Sequence, residues 1–454
     1  MQLIYKTYFN KQAKAAPLAV FRIFFGFMML ASIVRFWSYG WIKSLYVEPA
    51  FAFSFYGFGW LPQLANYTYA LFFVCGLSAF CVAIGYKYRL AILIFFLSFT
   101  YIELLDKTTY LNHYYFISCL SFLLIFLPAN CYYSIDALRQ KKFRVDTIPA
   151  WTIDSIKLLL CIVYFYAGLA KLNSDWLLEA MPLQIWLPSK YDIPLLGSIL
   201  QYEWVHYAFS WGGAFYDLAI PFLLLYRPTR SIAFVLVVVF HVLTRILFPI
   251  GMFPYIMIIS ALIFFNADFH DRILLFLTKI LKRIHLFRPY VVSEKYQPTS
   301  NPIAAYVVIV FIAIQLLLPW RYLMYPGELF WTEEGYRFSW RVMLMEKAGY
   351  AQFTIKDTKS GMIFAVDNSD FLTSFQEKQM STQPDFIVQY AHYLGSHFAN
   401  QGHKNIAIYV ESYVALNGRL SQQYIDPKVN LLDVEDSFAH KDWILNFKQT
   451  IYGL

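Results

Sequence analysis

The 454-residue chain is 59% hydrophobic, 20% aromatic and only 15% charged, which excludes a purely soluble protein and marks a polytopic α-helical membrane bundle with an additional soluble part. Its formal net charge of +8 would suit a nucleic-acid partner only if the cations clustered on one soluble face. They lie between apolar runs instead and read as topology determinants. Cys75, Cys81, Cys119, Cys131 and Cys161 all fall within or beside apolar segments, which leaves no disulfide framework for a soluble part and no zinc spacing.

The N-terminal segment MQLIYKTYFNKQAKAAP carries lysines, but the apolar run after it lacks a small-residue cleavage site, so that run is expected to be a retained first span. Runs of membrane-crossing length follow near 66–85, 90–105, 113–130, 154–172, 206–226, 231–247, 251–266 and 302–320 after the first at 17–37. That predicts about nine transmembrane helices, with one division at Pro249-Ile250-Gly251. Lys6, Lys11 and Lys14 precede the first run, and basic clusters follow the second, fourth, sixth and eighth, the last including Lys279, Lys282, Arg283 and Arg288. An excess of cations on one side places the N-terminus in the cytoplasm and the C-terminal part outside, an arrangement that suits a bacterial inner membrane. The loops 38–65 and 173–205 are rich in Trp, Tyr and Pro and poor in lysine. Such residues favour the interface, so both are expected to lie across the outer mouth as lids over a site for a lipid-soluble ligand. Segment 268–288 alternates apolar and basic residues at helical spacing and is expected to lie along the cytoplasmic interface.

Beyond Trp320 the composition changes, dividing the chain into a bundle at 1–320 and a C-terminal α+β domain at 321–454. AQFTIKD, GMIFAVD and NIAIYVESYVALN are short and rich in β-branched or aromatic residues, as strands are. Residues 382–400 carry apolar side chains at helical spacing instead.

Few polar groups lie inside the runs: Glu103, Asp106 and Lys107 end the third, Asn112 and His113 begin the fourth, and Lys171 ends the fifth. Asp217 and His241 sit mid-run in the sixth and seventh. Lys171 follows an uncharged run that begins at Leu158. An ammonium at the centre of a span costs about 2.5 to 3.5 kcal/mol, so such a lysine is a functional candidate, the alternative being that it snorkels to the headgroups. Asp217 could pair with Arg245 or His241 simply to satisfy a buried charge. The odd and even runs alternate in direction, which puts His113 and Lys171 near the same, non-cytoplasmic face. Phosphate loops, dinucleotide fingerprints, HExxH and Gly-x-Ser-x-Gly are missing. Histidines do not recur at i, i+4 within a run, so no metal is expected. Inverted halves are not apparent, which argues against a transporter.

Ordered blocks carry a resemblance. FYAGLAKLNSDWL (Phe165 to Leu177) and DKTTYLNHYYFISCL (Asp106 to Leu120) resemble segments of the vitamin K-dependent gamma-glutamyl carboxylases. RSIAFVLVVVFHVLTRILFPIGMFPYIM (Arg230 to Met257) is similar to the family's F-H and F-x-IGMF-x-Y-x-M pattern. FSWRVML (Phe338 to Leu344) and LNGRLSQQYIDPKVNLL (Leu416 to Leu432) resemble its C-terminal segments.

The resemblance implies a horizontally transferred transmembrane domain and an enzyme that oxidises reduced vitamin K, a phylloquinol or menaquinol, with dioxygen to the 2,3-epoxide. The base so produced removes a γ-proton from a peptide glutamate, and carbon dioxide adds to give gamma-carboxyglutamate. It implies Lys171 as the initiating base, with His113 and Asn112 beside the oxygenated quinone. A hydroquinone is a phenol with a pKa of roughly 10, within reach of an amine held neutral by an apolar site. Phe253, Met257 and His241 would line the naphthoquinone pocket, although the first two read equally as bundle core. Tyr336, Trp340 and Met343 would meet cofactor and glutamate. Arg419 would hold the glutamate carboxylate, or else make a surface salt bridge. The expected partners are membrane lipids, a lipid-soluble quinone and a glutamate-containing peptide.

One departure concerns the peptide-facing side: the animal enzymes read Ser-Trp-Asp-Met-Met where this chain has Ser339-Trp340-Arg341-Val342-Met343. Those enzymes are also longer and join bundle to outer domain by a disulfide, so propeptide docking is expected to differ. A quinone epoxidase without peptide carboxylation, or a lipid-binding scaffold without activity, are the alternatives.

Overall fold

The computed structural model describes residues 8–283 and 301–453. Lys6, Arg288 and residues 284–288 of the segment expected along the interface lie outside the described residues.

Among the described residues seven helices are long and apolar enough to cross a membrane, or eight if one bent pair is a single span. The count of nine is not reached. α1 (Ala16–Ser38), α2 (Thr68–Ile84) and α3 (Tyr88–Leu105) pack in sequence. Gly85 ends α2 in the left-handed conformation, at φ 64°, which costs a residue without Cβ nothing. α4 (Asn112–Phe126) has only 15 residues, about 22 Å at 1.5 Å per residue and less than the hydrocarbon thickness. The run that hydropathy extends to 130 stops because Leu127 precedes Pro128 and is extended, which ends the helix. α5 (Trp151–Leu169), α6 (Glu203–Leu225) and α7 (Arg230–Leu247) follow.

The expected eighth span is α8 (Phe253–Ala261) with one 3-10 turn to Phe264. The chain then bends by 119° into α9 (Ala267–Arg283). α9 buries Leu274 against Ala16, Ala19 and Val20 of α1 and leaves Leu275 and Phe276 exposed. α10 (Pro302–Leu317) starts with Asn301 accepting from the backbone of Ile303 and Ala304, and Pro302 occupies the first turn, where no donor is lost.

The remaining part is built on an antiparallel sheet, β1 (Lys347–Asp357), β2 (Ile363–Ala365), β3 (Ile406–Leu416) and β4 (Gln422–Gln423), in the order β2-β1-β3-β4. In β1, Ala351, Phe353 and Ile355 are buried while Lys356 is exposed, the alternation of a sheet with one covered face. Phe353 pairs with Val410 and Ile355 with Ile408. α11 (Ser374–Met380) opens with a capping box of Thr373 and Gln376. α12 (Pro384–Asn400) covers the sheet with Phe386, Tyr390 and Leu394.

Charges and aromatics bind sheet domain to helices. Lys107 at the end of α3 donates to Asp385 at 2.6 Å, and Arg337 reaches the same carboxylate at 2.8 Å. Lys347 meets Glu333 at 2.8 Å. From the loop 38–65, Phe51 stacks on Tyr393 at 4.5 Å and Phe53 on Phe386 at 4.8 Å.

Burial alone would raise the Asp385 carboxyl, but the Arg337 and Lys107 charges hold it well below the usual carboxylate range. A carboxylate depressed on folding contributes stability above its unfolded pKa, about 3.9, and loses it as pH falls below that value. Asp385→Asn is therefore expected to destabilise the sheet domain by about 3 kcal/mol at pH 7. The gap from the unsubstituted protein should narrow below about pH 4, followed by tryptophan fluorescence during thermal unfolding in detergent.

Candidate functional site

Gly168 lies one turn before Lys171, where α5 meets α6. A Cβ at Gly168 would stand 2.8 Å from the backbone nitrogen of Leu218, so only glycine lets the two helices approach this closely. The approach sets Lys171 against Asp217, the residue before Leu218. Lys171 Nζ donates to Asp217 Oδ2 at 2.8 Å and to the Ala167 carbonyl at 3.0 Å. Both residues are only 5% exposed. Asp217 thus has Lys171 as its partner, not Arg245 or His241, and the amine turns inward to it instead of snorkelling.

The residues after Lys171 close the site. Asn173 caps a short helix, Ser174–Leu178, by accepting from the Trp176 backbone at 2.9 Å. Trp176 places its ring 5.2 Å from the Lys171 amine and donates its indole N–H to the Ser210 carbonyl at 2.8 Å. The neighbouring Asp175 faces the sheet domain, where Arg419 grips it bidentately at 2.6 Å and 2.6 Å. Asn417 adds a third bond at 2.7 Å. Arg419 is thereby committed to Asp175. The position expected to hold a glutamate carboxylate carries a buried tie between loop and sheet.

Lys171 and Asp217 lie on the wall of a cavity, partly open to solvent, of about 740 Å³. His241, Phe253, Met257 and Met343, all expected around the cofactor, line it too, together with Tyr164, Trp176, Trp186 and Val342. The lining is otherwise almost wholly apolar. His241 Nε2 is 2.9 Å from the Tyr164 hydroxyl, and its Nδ1 is buried with no hydrogen-bond partner among the described residues.

His113, Asn112, Tyr336, Trp340 and Arg419 are not on this wall. His113 is buried, and its Nε2 lacks a partner among the described residues. Its ring lies 6.0 Å from that of Phe253, which is 5.5 Å from His241, so Phe253 touches both imidazoles. Gly251, at φ 60°, turns the chain between them, and a Cβ there would lie 3.8 Å from His113 Nε2. Asn112 donates to the Arg341 carbonyl at 2.7 Å and so holds the segment that carries Met343. Trp340 is fully buried, stacked on Tyr115 at 4.8 Å. Tyr336 faces a polar crevice of about 920 Å³ with Lys107, Arg337 and Lys347.

Phe338, Trp340 and Met343 all have positive φ, at 61°, 59° and 53°. Each such residue costs of order 1 to 3 kcal/mol and persists only where the surroundings impose it.

Asp217, Trp176 and Asp175 are the participants that sequence reasoning did not assign. Asp217 stands out as a mid-span acid, and Asp175-Trp176 belong to the FYAGLAKLNSDWL segment. Their roles depend on which helix and which loop they face.

The arrangement suits a flat apolar molecule with a polar end: apolar walls, one buried ion pair and one imidazole nitrogen free to bond. A bundle of apolar helices with a buried ion pair on the wall of an apolar pocket, joined to a sheet-containing C-terminal region, defines a helical membrane protein. Residues 10–269 match the HTTM domain, and residues 300–450 match the vitamin K-dependent gamma-carboxylase, lumenal domain. The chain belongs to the gamma-glutamyl carboxylase family. No solved structure matches it.

Gly168→Val is expected to push α6 outward, lower stability by about 1 to 3 kcal/mol, and erase the energetic coupling between Lys171→Met and Asp217→Leu. A double-mutant cycle on unfolding temperatures, run once in the unsubstituted protein and once in the Gly168→Val background, measures that coupling.

Proposed function

We propose that the chain is an integral membrane enzyme that couples oxygenation of a vitamin K or menaquinone hydroquinone to its 2,3-epoxide with carboxylation of peptide glutamate to gamma-carboxyglutamate. The observation that carries this reading is the Lys171–Asp217 pair at the wall of an apolar cavity whose lining includes Met343 of the FSWRVML segment. In this reading residues 1–320 form the bundle and 321–454 the domain outside the membrane, with the N-terminus in the cytoplasm.

When bound, the hydroquinone supplies with dioxygen the strong base that a γ-proton requires, since no side chain is basic enough at neutral pH. The chain supplies the first proton acceptor and the walls. Phe253, Met257 and Trp176 offer flat apolar surface that excludes water, and His241 Nδ1 offers one polar contact.

An ammonium paired with a carboxylate has no lone pair to offer. Asp217 resolves this: Lys171 Nζ takes a phenolic proton as it passes its own to Asp217 Oδ2 across 2.8 Å. The amine need not be neutral beforehand, and a cation remains beside the developing phenolate, where low dielectric strengthens the attraction. Asn112 acts at one remove, holding the backbone of Arg341.

A quinone oxygenase that does not carboxylate peptides is favoured by one observation: Arg419, the expected carboxylate holder, is occupied by Asp175.

In membranes given reduced vitamin K, Lys171→Ala is expected to abolish epoxide formation, and equal yield from the variant would refute the role of Lys171. Asp217→Asn, which keeps the shape but cannot take the proton, is expected to slow epoxidation by about 100-fold or more. Incorporation of labelled bicarbonate into a glutamate-containing peptide eliminates the oxygenase-only reading; epoxide without incorporation eliminates carboxylation.

A further inference from the structure

Four buried or half-buried cations tie the sheet domain to itself or to the helices, and each has a carboxylate close by. Lys107 and Arg337 share Asp385 at 2.6 Å and 2.8 Å, Lys347 has Glu333 at 2.8 Å, and Arg419 has Asp175 at 2.6 Å. Arg341 differs. It is 5% exposed, makes no ion pair among the described residues, and leaves Nε and Nη1 without a hydrogen-bond partner there. Tyr322 covers the guanidinium, its ring centroid 4.5 Å from the central carbon. Glu328 acts on it only from beyond ion-pair distance, a desolvated charge without a close counter-ion is costly, and arginine cannot escape that cost by losing its proton.

The backbone that carries this side chain is held in place. Asn112 holds the Arg341 carbonyl at 2.7 Å, and the residues at 338, 340 and 343 are forced to positive φ. Arg341 lines a small crevice, partly open to solvent, of about 250 Å³ with Ser339, Tyr322, Tyr166 and Trp320. Leu169 and Ala170, the two residues before Lys171, line it as well, while Val342 and Met343, the two after Arg341, line the large cavity. The small cavity therefore adjoins the Lys171 site through two short chain segments. It is smaller than its neighbour and more polar in its lining, which suits a small polar group and not a quinone ring system.

We propose that Arg341, flanked by Tyr322 and Ser339, is the binding site for a small planar oxyanion, either bicarbonate or the carboxylate of a glutamyl side chain. The planar fork of a guanidinium matches such an anion with two parallel N–H···O bonds, which a lysine cannot reproduce. The proposal deepens the carboxylase reading and rests on it only for the identity of the anion. Binding itself requires no turnover.

The test is a titration of the full chain in detergent, read by fluorescence of the tryptophans, with Trp320 in the cavity wall and Trp340 next in sequence to Arg341. Bicarbonate and formate are the probes, chloride is the non-planar control, and a glutamate-containing peptide is the competitor. A saturable response to bicarbonate or formate is expected, weakened about tenfold or more in Arg341→Met and by a smaller factor in Arg341→Lys. Absence of a saturable response in the unsubstituted protein, or equal affinity in a folded Arg341→Met, overturns the proposal. Should Arg341→Met not fold, Arg341→Lys decides: a preference for planar anions over chloride that survives the lysine overturns it. Displacement of bicarbonate by the peptide assigns the site to the substrate carboxylate, and failure of the peptide to compete assigns it to bicarbonate. Anion binding without epoxide formation keeps this site and sinks the catalytic reading of Lys171; epoxide formation without anion binding does the reverse.

Discussion

The buried ion pair between Lys171 and Asp217 is the constraint around which the rest of this molecule is arranged. Neither charge can stand alone among apolar helices, and together they are tolerable only at hydrogen-bond distance with the remaining valences met. The glycine at 168 brings the helices close enough, the Ala167 carbonyl accepts a second hydrogen bond from the ammonium, and the Trp176 ring covers it. A pair closed in this way also meets the chemical need, because the carboxylate that stabilises the ammonium is the group that can relieve it of a proton.

Asp175 and Trp176 make the pair sensitive to the sheet domain. One of these adjacent residues covers the lysine, and the other is clamped by Arg419 and Asn417. Displacing the sheet domain would pull on the cover of the cavity. The second tether is the series Lys107, Asp385, Arg337, Glu333 and Lys347, in which cations and carboxylates alternate. Tethered on both sides, the domain can impose strained backbone on residues 338–343, and that segment delivers Met343 to one cavity and Arg341 to another.

Much of the fold was legible locally. The strands from Lys347 and Ile406 and the helix from Pro384 follow from side-chain periodicity, a property of neighbours in sequence. The span count was not, because hydropathy registers composition and not length or direction. Leu127 before Pro128 shortens one helix, and the 119° bend after Phe264 breaks another, in runs equally apolar on paper. Within the site, His241, Phe253, Met257 and Met343 were all named from the motifs and meet around one cavity, whereas His113 reaches it only through contact with Phe253.

The sequence by itself determined the class of the chain, the order of its motifs and the identity of its buried lysine, because burial and periodicity are written in short stretches of side chains. Which carboxylate each cation would meet was decided by tertiary structure alone. Lys171 and Asp217 are 46 residues apart, Lys107 and Asp385 278, and Asp175 and Arg419 244. Charge pairing depends steeply on separation and on local dielectric, and both are set by how closely helices and sheet pack. That is why Asp217 belongs to Lys171, why Arg419 is occupied, and why Arg341 has no carboxylate at ion-pair distance among the described residues.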